Sequence, residues 1–469
     1  MIDFSSGNWN ADERTLSVKR FERALENGNT LFLDMDVYEQ ILDYYHEIGD
    51  YQKALELCTM VQDLYSYSAT VLADKAKVLS FLGRLDEALR CINEATFLQP
   101  TDPEILIIKA HICADAEHHR EAITLFEQLL HMGTEDQVSL YAQMGMAYQT
   151  LKEFERAGQA YRQALAIEPD YEEALIELSY CYEQLDRLEE TIPFYDVLID
   201  QNPFSYFAWF HLGKVYHKLD RFKEAAQAFE YATLIEPNRR AFFWMGHAHM
   251  NQQQYEAAFK AYREAVRDED QATADMFCHV GASLEELERY DEALRYFYKA
   301  AKADKYHAPA WYGIGCCLAK QERWYEATHY FGKAVRLDEE NTDFLVAKGK
   351  AEYQIGNVVS SMEAYEQAIH LNAQNPDAWL DWSLLLYEQG QYQEAADLLE
   401  SALDEFPENT KVMYRLVAFL MLSGRYREAL RHLEIALLLN YDAHEEMYPF
   451  FPNLEAQKSL FQLVQRYRT

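Results

Sequence analysis

A small residue recurs along this 469-residue chain at an almost constant spacing, three places after an aromatic or large apolar one. The series is Ala54, Ala88, Ala122, Ala157, Thr191, Ala225, Ala258, Ala293, Ala327, Ser361, Ala395 and Ala429, with eight steps of 34 residues and three that differ by one. Such a period means that one supersecondary unit is copied about twelve times. A unit of this size cannot bury its own apolar face, so neighbouring copies must stack and share a continuous core.

Each copy reads as two helices. The first carries apolar residues at places 4, 7, 8 and 11 of the copy, and the second carries the small residue at place 20 followed by apolar ones four and seven places later. Both patterns have the 3.6-residue period of a helix with one buried stripe. In the sixth copy the residues are Trp209, Leu212, Gly213 and Tyr216, then Ala225, Phe229 and Ala232, with Pro237 ending the second helix. Gly213 and Ala225 are expected to let the two helix backbones approach, while Trp209, Tyr216 and Phe229 fill the flanks. Gly145, Gly246, Gly281, Gly315 and Gly349 occupy the same place as Gly213. No alternating run bounded by turn residues occurs, so the spacing predicts helix over more than three quarters of the chain and no sheet.

The pattern Trp-x-x-Leu-Gly-x-x-Tyr, followed by Ala-x-x-x-Phe and a closing Pro, resembles the tetratricopeptide repeat family, in a bacterial-type form without a catalytic domain. The resemblance covers residues 35–443. It implies an all-α fold, a right-handed α-solenoid superhelix of tandem helix-turn-helix repeats. Two copies depart from the pattern: the third has Ala110 and Cys113, and the tenth has Val358, Val359 and Ser361 in place of the usual aromatic and Ala.

Residues 1–34 read as a tail and capping helix, with helical spacing from Ala11 to Asn27 (Phe21, Leu25) and an apolar Leu31-Phe32-Leu33 that docks on the first repeat. Asp36-Val37-Tyr38-Glu39 reads as a capping box opening its first helix. Residues 444–469 read as C-terminal caps, because a terminal repeat needs a cover for its exposed core. There Asp442 to Tyr448 is a short helix, Pro449-Phe450-Phe451-Pro452 an apolar turn, and a helix from Asn453 puts Leu460, Phe461, Val464 and Tyr467 on one face.

Charge narrows the partners. Lys and Arg total 43 against 78 Asp and Glu, a net charge of -35, and that field repels nucleic acid and anionic membrane surfaces. No apolar run is long enough to span a bilayer, and the first residues lack the features of an export signal. The seven cysteines form no CxxC pair and sit mostly among apolar helical neighbours. A reducing, cytoplasmic setting is expected.

The resemblance further implies that places 2, 5, 6, 9, 12 and 13 of each repeat face a concave groove. In repeat one these are Asp36, Glu39, Gln40, Asp43, His46 and Glu47, and in repeat five Glu173, Ile176, Glu177, Tyr180, Glu183 and Gln184. Both sets are acidic. Repeat six instead offers Phe207, Phe210, His211, Lys214, His217 and Lys218, and repeat seven Arg240, Phe243, Trp244, His247, Met250 and Asn251. Aromatic rings beside cations are how peptide anchor sites are built. The expected ligand site is therefore the groove of repeats six and seven, with Tyr312 extending it and Phe210, Phe243 and Trp244 as anchors. The competing expectation is that these rings pack between adjacent repeats.

The partner expected is a protein or peptide with basic or mixed aromatic and acidic segments. The carboxylate clamp of chaperone-binding family members finds no match, since Lys77, Lys214, Lys350 and Arg415 lie in four separated repeats. His211, His247 and His279 fall on neighbouring first helices, but no acidic or thiolate partners stand at fixed spacing, so no metal is expected. Neither a phosphate loop, a zinc helix nor a nucleophile elbow occurs, and no cofactor or catalysis is expected. An adaptor is the first reading. The second is a structural subunit that grips partners through its ends or convex side, with an apolar patch near Phe450, Phe451, Leu460 and Phe461.

Overall fold

The computed structural model describes residues 17–23, 33–450 and 458–467. Helix makes up 80% of it, in tandem packed pairs, and no strand occurs among the described residues. The chain divides into two compact parts, Met1–Glu236 and Pro237–Thr469. Repeats one to six lie in the first and repeats seven to twelve in the second. No helix among the described residues is long and apolar enough to cross a membrane.

Most first helices start on a side-chain cap. Asp34 accepts from Val37 N at 2.9 Å, Ser205 from Ala208 N at 3.1 Å and Asn409 from Val412 N at 3.1 Å, each satisfying an amide that the helix itself leaves without a partner. At the first repeat the cap is thus Asp34, and Asp36 sits inside the helix Met35–Ile48. The capping box expected at Asp36 is corrected by two residues.

Within each repeat the two helices join through place 15, which is left-handed throughout. Gly49, Gly83, Gly356, Gly390 and Gly424 adopt it freely, whereas Glu117, Lys152, Asp186, Asp220, Gln253, Glu288 and Glu322 hold φ between 55° and 61°. The next amide then reaches back five residues, as Arg221 N does to Tyr216 O at 2.9 Å, closing the end of the first helix.

The twelve small residues at place 20 are all fully buried. The glycines at place 8 face the ring opposite them in the same repeat. A Cβ on Gly213 would lie 2.7 Å from Phe229, one on Gly145 2.6 Å from Tyr161 and one on Gly281 2.8 Å from Phe297. Each glycine seats the aromatic ring at place 24 of the same repeat, which fills the space a side chain would take. The tenth repeat's Ser361 is accommodated by donating to Gly349 O at 2.7 Å.

At the N-terminal end residues 17–23 are helical, and Val18, Phe21 and Leu33 are buried with the first repeat. Tyr65 donates its hydroxyl to Leu33 O at 3.1 Å. Leu25, Leu31 and Phe32 lie outside the described residues. At the other end Asp442–Met447 is a 3-10 turn and Lys458–Arg466 a helix. Phe450 is buried with its ring centroid 5.3 Å from those of Tyr387 and Phe419, and Leu460 and Val464 join the same core. The apolar patch expected at Phe450 and Leu460 is therefore internal, because these side chains cover the core of the last repeat. Phe461 is half-buried, and Phe451 and Pro452 lie outside the described residues.

Candidate functional site

Repeat six lies in the first compact part, on the helix Tyr206–Lys218. Phe210 is fully buried: its ring stacks on Tyr206 at 5.6 Å and meets Phe229 at 5.8 Å. His211 is 2% exposed, with Nε2 3.7 Å from Glu172 of repeat five. Both were expected in an open groove, and both belong to the core. The reason is geometric, since adjacent first helices lie side by side and places 5 and 6 of this repeat point into the packed seam. Phe207 and Lys214 are half-buried, and Phe207 has its ring edge-on to Tyr206 at 5.3 Å. His217 is half-buried against Phe222, and burial holds its imidazole below the ordinary pKa with Asp220 opposing. Lys218 is exposed but pairs with Glu183 of repeat five.

Repeat seven opens the second compact part, on the helix Arg239–Asn251, with Asn238 capping Arg240 N at 2.9 Å. Arg240 and Asn251 are exposed, and Phe243, Trp244, His247 and Met250 are half-buried. Ring centroids place Phe243 at 4.6 Å from His247, 5.2 Å from His279 and 5.6 Å from Tyr262. Trp244 lies 5.6 Å from His247. In repeat nine, half-buried Tyr312 packs on Phe344 at 4.8 Å and on Phe331 at 5.7 Å. The rings of Phe243 and Tyr312 are thus partly engaged between neighbouring repeats and partly left at the surface.

The rings of His247 and His279 come to 4.5 Å. Burial holds the His279 imidazole below its ordinary pKa; the Asp275 carboxylate, 3.6 Å from Nε2, opposes this and His307 adds to it. An imidazole pair on an aromatic bed can stack on an apolar or planar side chain. Among the described residues no group of three or more His, Cys, Asp and Glu side chains is arranged to hold a metal ion.

One participant escaped the sequence reading. Tyr262 comes from a second helix, and only first-helix places were considered as groove. Arg415 stands at groove place 6 of repeat twelve, yet it is drawn inward: it donates Nη1 to Leu380 O at 2.7 Å, with its guanidinium 4.8 Å from the Phe450 ring.

Models of the tetratricopeptide repeat match residues 148–212, 206–239, 243–308, 308–341, 346–410 and 386–448, and a model of the Psidin N-terminal TPR repeats region matches 37–163. The chain belongs to the tetratricopeptide repeat family. It is 24% identical over 204 residues to the Homo sapiens protein O-mannosyl-transferase TMTC1, covering 41% of this chain and 23% of that protein. It is 22% identical over 304 residues to the Bos taurus BBSome complex member BBS4, covering 57% of this chain and 58% of that one. The chain therefore spans less than two thirds of the length of either relative. The crystal structure of yeast Tom70 aligns at 14% identity over 91% of this repeat protein and 96% of its own chain, with a TM-score of 0.43.

Proposed function

We propose that this tetratricopeptide repeat chain is a non-catalytic interaction scaffold that holds a peptide or protein segment against the first helices of repeats seven to nine. The observation that carries the reading is the partly open face of Trp244, Phe243 and His247 beside exposed Arg240, where the corresponding groove places of repeats one and five are acidic. Such rings lose hydration when left open and gain by being covered. In this reading Trp244 and Phe243 are apolar contacts, Arg240 meets a carboxylate or phosphate, and Tyr312 lengthens the track. Phe207, Lys214 and His217 offer a separate set of contacts in the first compact part. The transferase activity in the human relative's name is not carried over, because the similarity covers 23% of that protein. The seven free cysteines accord with a cytoplasmic location.

The test is capture of partners on immobilised full-length protein, wild type against Trp244→Ala, with mass spectrometry as the readout. Loss of a wild-type partner from the variant supports the reading. Identical capture by a correctly folded variant rejects it.

A second reading, a subunit of a larger assembly, draws on BBS4 being a complex member and on exposed aromatics of the second helices, Tyr298 and Tyr325, the latter 77% exposed. It predicts that Tyr325→Ser, and not Trp244→Ala, releases the captured partner.

A further inference from the structure

One groove carboxylate is paired in the first compact part, and its counterpart in the second is left open. Glu183, at place 12 of repeat five, pairs with Lys218, at place 13 of repeat six. The same two places of repeats eight and nine hold Glu285 and Lys320. This second pair does not close. Among the described residues the Glu285 side chain has neither a hydrogen bond nor an ion pair, and Lys320 is exposed. Both oxygens of Glu285 keep some contact with solvent.

The surroundings of the two carboxylates also differ. Glu183 is exposed, so its pairing adds little. Glu285 is half-buried, as are Tyr312 and Cys316 at places 5 and 9 of repeat nine, and its charge acts on both. A carboxylate drawn out of water with no donor is held at a cost. Burial accordingly pushes the Glu285 carboxyl up to about 7, with Glu286 adding to this and Lys320 opposing it. Tyr312, Cys316 and Cys317, which face it from repeat nine, are raised by burial and stay protonated at neutral pH. An incoming cation would let Glu285 ionise in place, and a tyrosine ring beside it receives positive charge on its face.

We infer that the groove between repeats eight and nine takes a basic side chain of the bound segment, with Glu285 as its counter-ion and Tyr312 and Cys316 flanking it. The inference rests on the reading that the first helices of repeats seven to nine hold a segment. It gives that segment a second charged contact, a cation for Glu285 besides the anion that Arg240 meets. The net charge of -35 favours the approach of such a cation.

The experiment is saturation-transfer NMR on the full chain at physiological ionic strength, with acetyl-Leu-Lys-Leu-amide as the probe and the norleucine peptide as its uncharged isostere. At pH 8 the lysine peptide is expected to bind saturably, and the norleucine peptide at least about tenfold more weakly, the range of one lost charge-assisted contact. Because Glu285 must ionise to receive the cation, affinity for the lysine peptide should rise about tenfold from pH 6 to pH 8. Glu285→Gln keeps the shape and removes the charge, so it is expected to lose both the affinity and its pH dependence. Melting curves check that this variant folds, and if it does not, the norleucine comparison and the pH profile of the wild type decide.

Glu183→Gln, at the paired site, is expected to leave binding unchanged. An equal loss there means general attraction to an acidic chain and overturns the inference. Absence of saturable binding to wild type overturns it too, and binding that appears only in Lys320→Met would show that the chain's own lysine fills the place. Partners lost by Trp244→Ala, without lysine-peptide binding, reject the cation place and leave the face standing. Identical capture by Trp244→Ala, with lysine binding that depends on Glu285, supports the cation place and rejects the face.

Discussion

Phe297 closes against Gly313 of the following repeat so tightly that a side chain on the glycine has no room. The same ring is seated on Gly281 of its own repeat, where an added Cβ would stand 2.8 Å away. One aromatic therefore locks two repeats together by filling two glycine sites. Contacts that cross from one repeat to the next are what make a stack of individually unstable units cooperative.

Gly313→Ala is accordingly expected to destabilise the protein by about 1–3 kcal/mol, the range for an overpacked core site. Hydrogen exchange should show the loss concentrated in repeats eight and nine, with repeats one to five little changed. A uniform loss of protection along the chain would contradict neighbour-only coupling.

Phe210, expected from sequence to contact a ligand, should behave as core. Phe210→Ala is expected to cost about 3–5 kcal/mol, as large-to-small changes at fully buried aromatics do, read as a lower urea midpoint with an unchanged slope. A melting temperature close to wild type, combined with lost partner binding, would reverse this assignment.

Trp244 should show the opposite pattern. It is half-buried, and an aromatic anchor at an interface typically contributes about 2 kcal/mol or more, so Trp244→Ala is expected to weaken the captured partner at least about tenfold. Circular dichroism and melting temperature should stay near wild type. A drop of several degrees with affinity intact would make Trp244 a packing residue between repeats.

Asp74 gives the protein a pH dependence with a definite sign. Burial pushes its carboxyl from the ordinary 3.8 up to about 6; Tyr38, donating at 2.9 Å, and Lys77 oppose this, while Glu39 and Asp43 add to it. The folded state therefore holds a proton that the unfolded chain has released between these values. The stability Asp74 contributes is full below about pH 4 and lost as pH rises through 6. Asp74→Asn keeps an acceptor for Tyr38 and removes the charge, so it is expected to be more stable than wild type at pH 8 by on the order of 1–3 kcal/mol. The difference should shrink toward pH 5. Urea titrations of both proteins across that range check it, and a difference that does not change with pH would exclude Asp74 as the source.

The repeat, its two helices and its small-residue seam were legible because they are local. Place 20 recurs every 34 residues and is buried every time, from Ala54 to Ala429, and an amphipathic helix writes its buried face into its own spacing. The hairpin turn was less legible. Five of its left-handed positions are glycine, but Glu117, Lys152 and the other non-glycine residues at place 15 carry no such signal. They are held there by the packed helices on either side, which outweigh the roughly 1–2 kcal/mol cost of that conformation.

The sequence by itself determined what kind of stack this chain must build, since each unit has an apolar face that only another unit can cover. Which ring stays at the surface was decided by tertiary structure. Phe210 and Phe243 occupy the same place of consecutive repeats; one is fully buried and the other half-buried, and their neighbours differ: Tyr206, His211 and Phe229 around the first, His247, His279 and Tyr262 around the second. Phe450 reads as part of an apolar turn in the C-terminal cap, and only the structure shows which rings it covers, Tyr387 and Phe419. Periodicity records the face a side chain leaves its own helix by. It does not record what stands opposite, and that opposing surface decides whether a groove ring is core or contact.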